Sequence, residues 1–162
     1  MVKERTWLCT WNRKKDNEKI MKMKVLILCT GNSCRSQMAH GFMQSMFPEM
    51  TVCSAGTRPA EHVNPTAVKV MAEVGIDIST HTPKSVEEYL NEPWDYVVTV
   101  CGGARESCPV FVGEVGEHRH IGFDDPSEAQ GAEDYVMSEF HRVRDAIAVA
   151  FKQFGEEISS NC

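Results

Sequence analysis

Residues 25–39 read Val25-Leu26-Ile27-Leu28-Cys29-Thr30-Gly31-Asn32-Ser33-Cys34-Arg35-Ser36-Gln37-Met38-Ala39, and the order of residue types in this stretch decides the architecture. A continuous apolar run ending at a cysteine reads as a strand buried on both faces, the habit of parallel sheets covered by their crossover helices. The polar loop that follows contains a glycine and an asparagine, which tolerate left-handed backbone angles and let successive amide groups turn inward. Met38, Phe42 and Met46, with Ala39, Met43 and Phe47, then mark one helical face, and Pro48 ends it.

The same alternation continues outward. A second strand fits Met50 to Ser54. Asn64 as cap and Pro65 at the first helical position open a helix with Ala67, Val70, Met71 and Val74 inward, closed by Gly75. Ser85 and Glu88 have the spacing of a capping box for a short helix. Asp95 to Val100 reads as a third strand and His118 to Phe123 as a weaker fourth. Val136, Phe140, Val143, Ile147, Phe151 and Phe154 recur at helical steps, and Gly155 is expected to end that last helix. The pattern predicts an α/β fold of three layers: a four-stranded, mostly parallel sheet with helices on both faces.

The chain has 162 residues, 42% of them apolar, enough for the core of one domain. Its longest apolar runs, Val25 to Cys29 and Ala146 to Phe151, fall far short of the roughly 18 to 20 residues needed to cross a membrane, so a soluble, cytoplasmic protein is expected. The net charge of −6 is divided unevenly: residues 1–23 carry seven Lys and Arg against three Asp and Glu, and the rest carries ten against twenty. An acidic body argues against nucleic acid as a partner. The basic head has no apolar stretch long enough for a signal peptide; residues 1–23 are expected to be a mobile extension and 24–162 a single domain. Seven cysteines are many for a reducing compartment, which points to thiol chemistry rather than structural disulfides.

In open parallel sheets ligands bind beyond the carboxyl ends of the strands, where Cys29 and Cys101 end the first and third strands. Thr30, Gly31, Asn32, Ser33, Cys34, Arg35 and Ser36 form a loop at a helix N-terminus, able to surround an oxyanion with amides. Arg35 adds a planar guanidinium fork suited to two oxygens of a tetrahedral anion, and its charge favours a thiolate at Cys29. Cys34 reads as a packing residue of this loop, Cys53 as core, and Cys9 and Cys162 as exposed terminal thiols. His118 and His120, taken with Cys101 and Cys108, match no familiar zinc spacing, so no metal site is expected.

Cys29 to Ala39, together with Ser54-Ala55-Gly56 and Gly122-Phe123-Asp124-Asp125-Pro126, resembles the thioredoxin-coupled arsenate reductases built on the low-molecular-weight protein tyrosine phosphatase fold, over about residues 24–154. The Cys-x5-Arg loop and the late Asp-Pro are shared with the phosphatases, which leaves open a phosphatase using Cys29, Arg35 and Asp125. Cys101-Gly102-Gly103-Ala104-Arg105-Glu106-Ser107-Cys108 favours the reductase, because turning As(V) into As(III) takes two electrons and thiols deliver them by forming a disulfide. A thiol sensor that binds an anion without turnover is a third possibility.

The resemblance implies a mechanism. Arsenate is held by the loop amides and Arg35, with phosphate and sulfate as competitors, while Cys29 attacks arsenic. Asp125, rather than Asp124, protonates the departing oxygen, and Ser36 helps hold the thiolate. Cys101 then pairs with Cys29, and Cys108 with Cys101, for thioredoxin to reduce; Gly102 and Gly103 give that segment room to rearrange. No tightly bound cofactor is implied. Many relatives carry at position 40 a glutamate that helps bind a potassium ion behind the anion loop; the imidazole of His40 argues against potassium activation here.

Overall fold

The computed structural model describes residues 23–161. Most of the expected extension, with Cys9 and Cys162, lies outside the described residues. Met23 is buried, and its carbonyl accepts the Thr51 N–H at 2.9 Å.

Four strands, β1 (Lys24–Cys29), β2 (Thr51–Gly56), β3 (Trp94–Thr99) and β4 (Val115–His120), form one sheet in the order β2-β1-β3-β4, parallel throughout. β1 is central, and Val25, Leu26, Ile27 and Leu28 are fully buried. Each such side chain removed from water contributes about 1.5–3 kcal/mol, so the apolar run that marked this strand in the sequence also anchors the core. β1 pairs with β3 through Leu28 and Thr99 and with β2 through Cys29 and Gly56. The register thus brings the ends of three strands to one edge.

Helix α1 (Arg35–Met46) packs on β1 and β2. Helix α2 (Pro65–Ala72) starts as expected: Asn64 Oδ1 accepts the N–H groups of Thr66 and Ala67 at 2.8 and 3.3 Å, Pro65 occupies the first turn, and Gly75 beyond it has φ +79°. The short element after Ser85 is a 3₁₀ turn, Val86–Tyr89, in which Ser85 accepts from Glu87 N–H. Helix α3 (Gly102–Glu106) is a single short turn following β3, and helix α4 (Glu133–Ser160) spans 28 residues.

Several boundaries differ from the sequence expectation. The fourth strand runs over Val115–His120, three residues earlier than the expected His118–Phe123. It is an exposed edge strand with no alternation to reveal it, and Ile121 and Phe123 turn back to bond the carbonyls of Thr99 and Val100. The last helix passes through Gly155 instead of stopping there. A Cβ at Gly155 would lie 2.0 Å from the Phe47 ring, so this glycine serves the close approach of α1's end to α4. The second strand likewise extends to Gly56, where a Cβ would lie 2.5 Å from the Thr30 carbonyl oxygen.

Candidate active site

The loop from Thr30 to Cys34 is held open from outside. The carbonyls of Cys29, Thr30, Gly31 and Ser33 accept the N–H groups of Thr57, Arg58, Ala60 and Asn64 at 2.8–3.2 Å. In a trans peptide the carbonyl and the next N–H point in opposite directions, and the described chain has no cis bond. Fixing these four carbonyls outward therefore turns the N–H groups of Thr30, Gly31, Asn32 and Cys34 inward, where Thr30 N–H faces the Cys29 sulfur. Such a concave ring at the start of α1 suits a tetrahedral anion.

Asn32 is the residue that bends the loop. It alone among described non-glycine residues has a positive φ, 49°, and it is fully buried. Its Nδ2 donates to Ser36 Oγ at 2.8 Å, its Oδ1 accepts from Lys84 N–H at 2.9 Å, and its carbonyl accepts from Gln37 Nε2 at 3.1 Å. Ser36 thus holds the loop through Asn32. The sequence did not single out Gln37, Lys84 or the residues 57–64; backbone partners leave no signature in side-chain pattern.

Arg35 donates from Nη2 to Asp125 Oδ2 at 2.9 Å and from Nη1 to the Phe123 carbonyl at 3.1 Å. The side chains of the pair are only 12% and 23% exposed, so solvent screens it less than a surface ion pair. Arg35 Nε is buried without a hydrogen-bond partner, a donor available to an oxyanion. Asp125 Oδ1 accepts from Ser127 N–H and Oγ, starting the 3₁₀ turn Pro126–Glu128. The neighbouring Asp124 instead pairs with Arg142 on the surface.

Cys29 and Cys101 are both buried, and each thiol shifts the other's titration. Cys101 Sγ also lies 3.4 Å from the Thr30 hydroxyl and accepts the Ala104 N–H at 3.3 Å, which caps α3. The pKa of Cys101 is lowered, first by its interaction with Cys29 and then by Thr30, Ala104 and Arg35. Cys29 is raised correspondingly, by its interaction with Cys101 and by burial, against the pull of Arg35. Cys34 is pushed up to about 12 by burial and by the Asp125 charge, which keeps it a protonated packing residue. Cys108 is half-buried beyond the far end of α3, lining a groove with Pro109, Phe111 and His118. The structure therefore brings Cys29, Arg35, Cys101 and Asp125 together and leaves Cys108 apart. No group of three or more His, Cys, Asp or Glu among the described residues is arranged to hold a metal ion.

A cysteine at a strand end, an amide-lined loop and an arginine opposite an Asp-Pro turn coincide with a family whose model, low molecular weight phosphotyrosine protein phosphatase, matches residues 24–162. The chain belongs to that family. Within it, it is 47% identical to an arsenate reductase of Bacillus subtilis over 84% of this chain and 98% of the relative, and 46% identical to one of Shouchella clausii over 83% and 96%. Among solved structures, an arsenate reductase in the phosphate-binding state superposes with a TM-score of 0.72 at 31% identity, covering 84% of this chain and 98% of that one. The low molecular weight phosphatase fold is thus the frame for the site, and the chain is similar in sequence to arsenate reductases built on it. No helix among the described residues is long and apolar enough to cross a membrane.

Proposed function

We propose that this protein reduces arsenate to arsenite through a three-thiol relay recycled by thioredoxin. The observation that carries the reading is a second buried thiol beside the anion loop: Cys101 Sγ lies 3.4 Å from the hydroxyl of Thr30, the residue next to Cys29, and the two thiols shift each other's titration. A phosphatase needs one nucleophile, since water hydrolyses its phosphocysteine; a second thiol beside the first supplies the electron pair that a reduction requires. The arsenate reductase relatives support the same substrate.

Arsenate enters the ring of inward amides, where Arg35 and the amides take its charge. The Cys29 sulfur attacks arsenic while its thiol proton passes to the Asp125 carboxylate, which hands it as general acid to the arsenate hydroxyl that leaves as water. Cys101 then attacks the Cys29 sulfur. The sulfur–arsenic bond breaks with its electron pair going to arsenic, As(V) becomes As(III), and arsenite leaves behind a Cys29–Cys101 disulfide. Cys108 attacks Cys101, returns Cys29 to the thiolate and leaves a Cys101–Cys108 disulfide, which the two thiols of thioredoxin reduce.

The last exchange requires α3 to open. Cys101 caps the helix and Cys108 follows its last turn, so seven helical steps of about 1.5 Å would hold their Cα atoms roughly 10 Å apart. A disulfide needs a separation of about 4.4–6.8 Å. With two glycines in a five-residue helix, opening is cheap. The decisive experiment follows arsenate-dependent NADPH oxidation with thioredoxin and thioredoxin reductase: wild type turns over repeatedly, while Cys108→Ser stops near one equivalent. Phosphatase turnover without NADPH oxidation would overturn the reading.

A further inference from the structure

Behind the anion loop, a cavity of about 230 Å³ is lined by Gln37, His40, Ser54, His81, Thr82 and Lys84, among others. Its walls control the loop directly. Gln37 is buried; its Nε2 lies 3.1 Å from the Asn32 carbonyl, 3.2 Å from Asn32 Oδ1 and 3.4 Å from the Thr82 carbonyl. Its Oε1 accepts from His81 Nδ1 at 2.9 Å, which fixes the proton of His81 on that nitrogen. The His40 ring stacks on His81 with centroids 4.7 Å apart, and its Nδ1 is 3.0 Å from Ser54 Oγ on β2. An unbroken chain therefore runs from β2 through His40, His81 and Gln37 to Asn32, the residue whose positive φ bends the loop.

The resemblance to the arsenate reductases implies a potassium site beside position 40, and the residues here do not fit that ion. Potassium is bound by oxygens that replace its hydration shell, and carboxylates and carbonyls suit hard cations better than imidazoles do. The cavity wall carries no carboxylate, presents two imidazoles and the thiol of Cys53, and includes the cationic Lys84. Of its oxygens, Ser54 Oγ and Gln37 Oε1 are engaged by His40 and His81, while the Asn32 carbonyl, Asn32 Oδ1 and the Thr82 carbonyl face the Gln37 amide nitrogen.

We propose that the stacked imidazoles of His40 and His81, acting through Gln37, hold the anion loop in place of a bound cation, so that oxyanion binding by this chain does not respond to potassium. The inference rests on the loop being the oxyanion site. Burial and the neighbouring His81 bring the His40 pKa down to about 4, so the ring is neutral near pH 7 and adds no charge of its own. His40 and His81 are positioning residues, not catalytic ones: they touch the loop's supports and none of the reacting atoms.

The test uses the full-length protein with inorganic phosphate as the probe, in potassium, sodium or tetramethylammonium chloride at one ionic strength of about 0.1 M. Calorimetry gives the phosphate Kd, and the thermal midpoint is read without phosphate. For the wild type the Kd values agree within about twofold and the midpoints within about 1 °C, because a ligand that binds the native state raises its midpoint and none is bound here. His40→Glu gains a midpoint rise of several degrees in potassium over sodium and binds phosphate more tightly there. His40→Gln keeps a partner for Ser54 but lacks the stacked ring; its phosphate affinity falls several-fold and potassium does not restore it. A wild-type midpoint or Kd that improves in potassium, or unchanged phosphate binding by His40→Gln, would overturn the proposal. Absence of phosphate binding in every salt is a separate result: it removes the oxyanion reading of the loop, while the midpoints still report on the cation.

Discussion

The Cys29 and Cys101 thiols, at the ends of β1 and β3, act on each other: the pKa of Cys29 is raised and that of Cys101 lowered. Two interacting thiols titrate as a pair, so removing one changes the other. In Cys101→Ala the largest influence raising Cys29 is gone, while Arg35 and the Thr30 N–H still lower it. The pH at which iodoacetamide alkylates Cys29 at half its maximal rate will therefore shift downward, and multiple turnover of arsenate will vanish. An upward shift would show that Cys101 had been stabilising the Cys29 thiolate.

Asp125 both faces Arg35 and starts the 3₁₀ turn through Ser127. Asp125→Asn keeps an oxygen for Ser127 but has no proton to give at the leaving oxygen, so the first-turnover rate should fall by about 10²–10⁴ with little change in thermal midpoint. Asp124→Asn removes only the surface pair with Arg142 and should leave that rate intact. Rapid-quench measurement of the first arsenite equivalent separates the two; equal losses would remove the special place given to Asp125.

Gly102 has open space where a Cβ would go, so alanine fits without collision and favours the helical state by about 1 kcal/mol. If α3 must open for Cys108 to reach Cys101, Gly102→Ala slows that exchange about fivefold and leaves arsenylation of Cys29 unchanged. Trapping the disulfides by acid quench and mass spectrometry during one turnover will show the Cys29–Cys101 species persisting. Gly103→Ala is a poorer probe, because its Cβ would lie 2.8 Å from the Thr30 hydroxyl.

Gly155→Ala drives a methyl group into Phe47, an overpacking cost of about 1–3 kcal/mol. Urea denaturation should show that loss, and Phe47→Leu in the same chain should recover part of it. Two independent, additive losses would mean that the contact between α1's end and α4 is not what the glycine serves.

What was legible in the sequence follows from which forces leave a local mark. β1 stood out because burial on both faces imposes an unbroken apolar run, and α4 because a long helix against a core repeats at fixed steps. Cys29, Arg35, Cys101 and Asp125 were legible because the ends of elements are fixed by the elements themselves. β4 was misplaced since Val115–His120 is an exposed edge strand, held by backbone pairing with β3 that any polar sequence can make. Gly155 misled for a related reason: a helix-ending glycine and one relieving a distant ring look alike until Phe47 is seen beside it. The supports of the anion loop, Gln37, His81 and the carbonyl partners over 57–64, depend on contacts between segments remote in sequence, and Cys108's separation from Cys101 depends on α3 being wound.

The Ala104 N–H that caps α3 is accepted by the same sulfur that faces Cys29. In the proposed relay, once that sulfur is bonded to Cys29 it is a neutral disulfide atom and a far weaker acceptor, so the helix would lose its latch when the first oxidation is complete. The chemical product of one step would then be the mechanical release for the next. Cys108 would wait behind a wound helix while arsenic is bound and be admitted once it has gone, with the timing carried by a single atom that belongs to two structures at once.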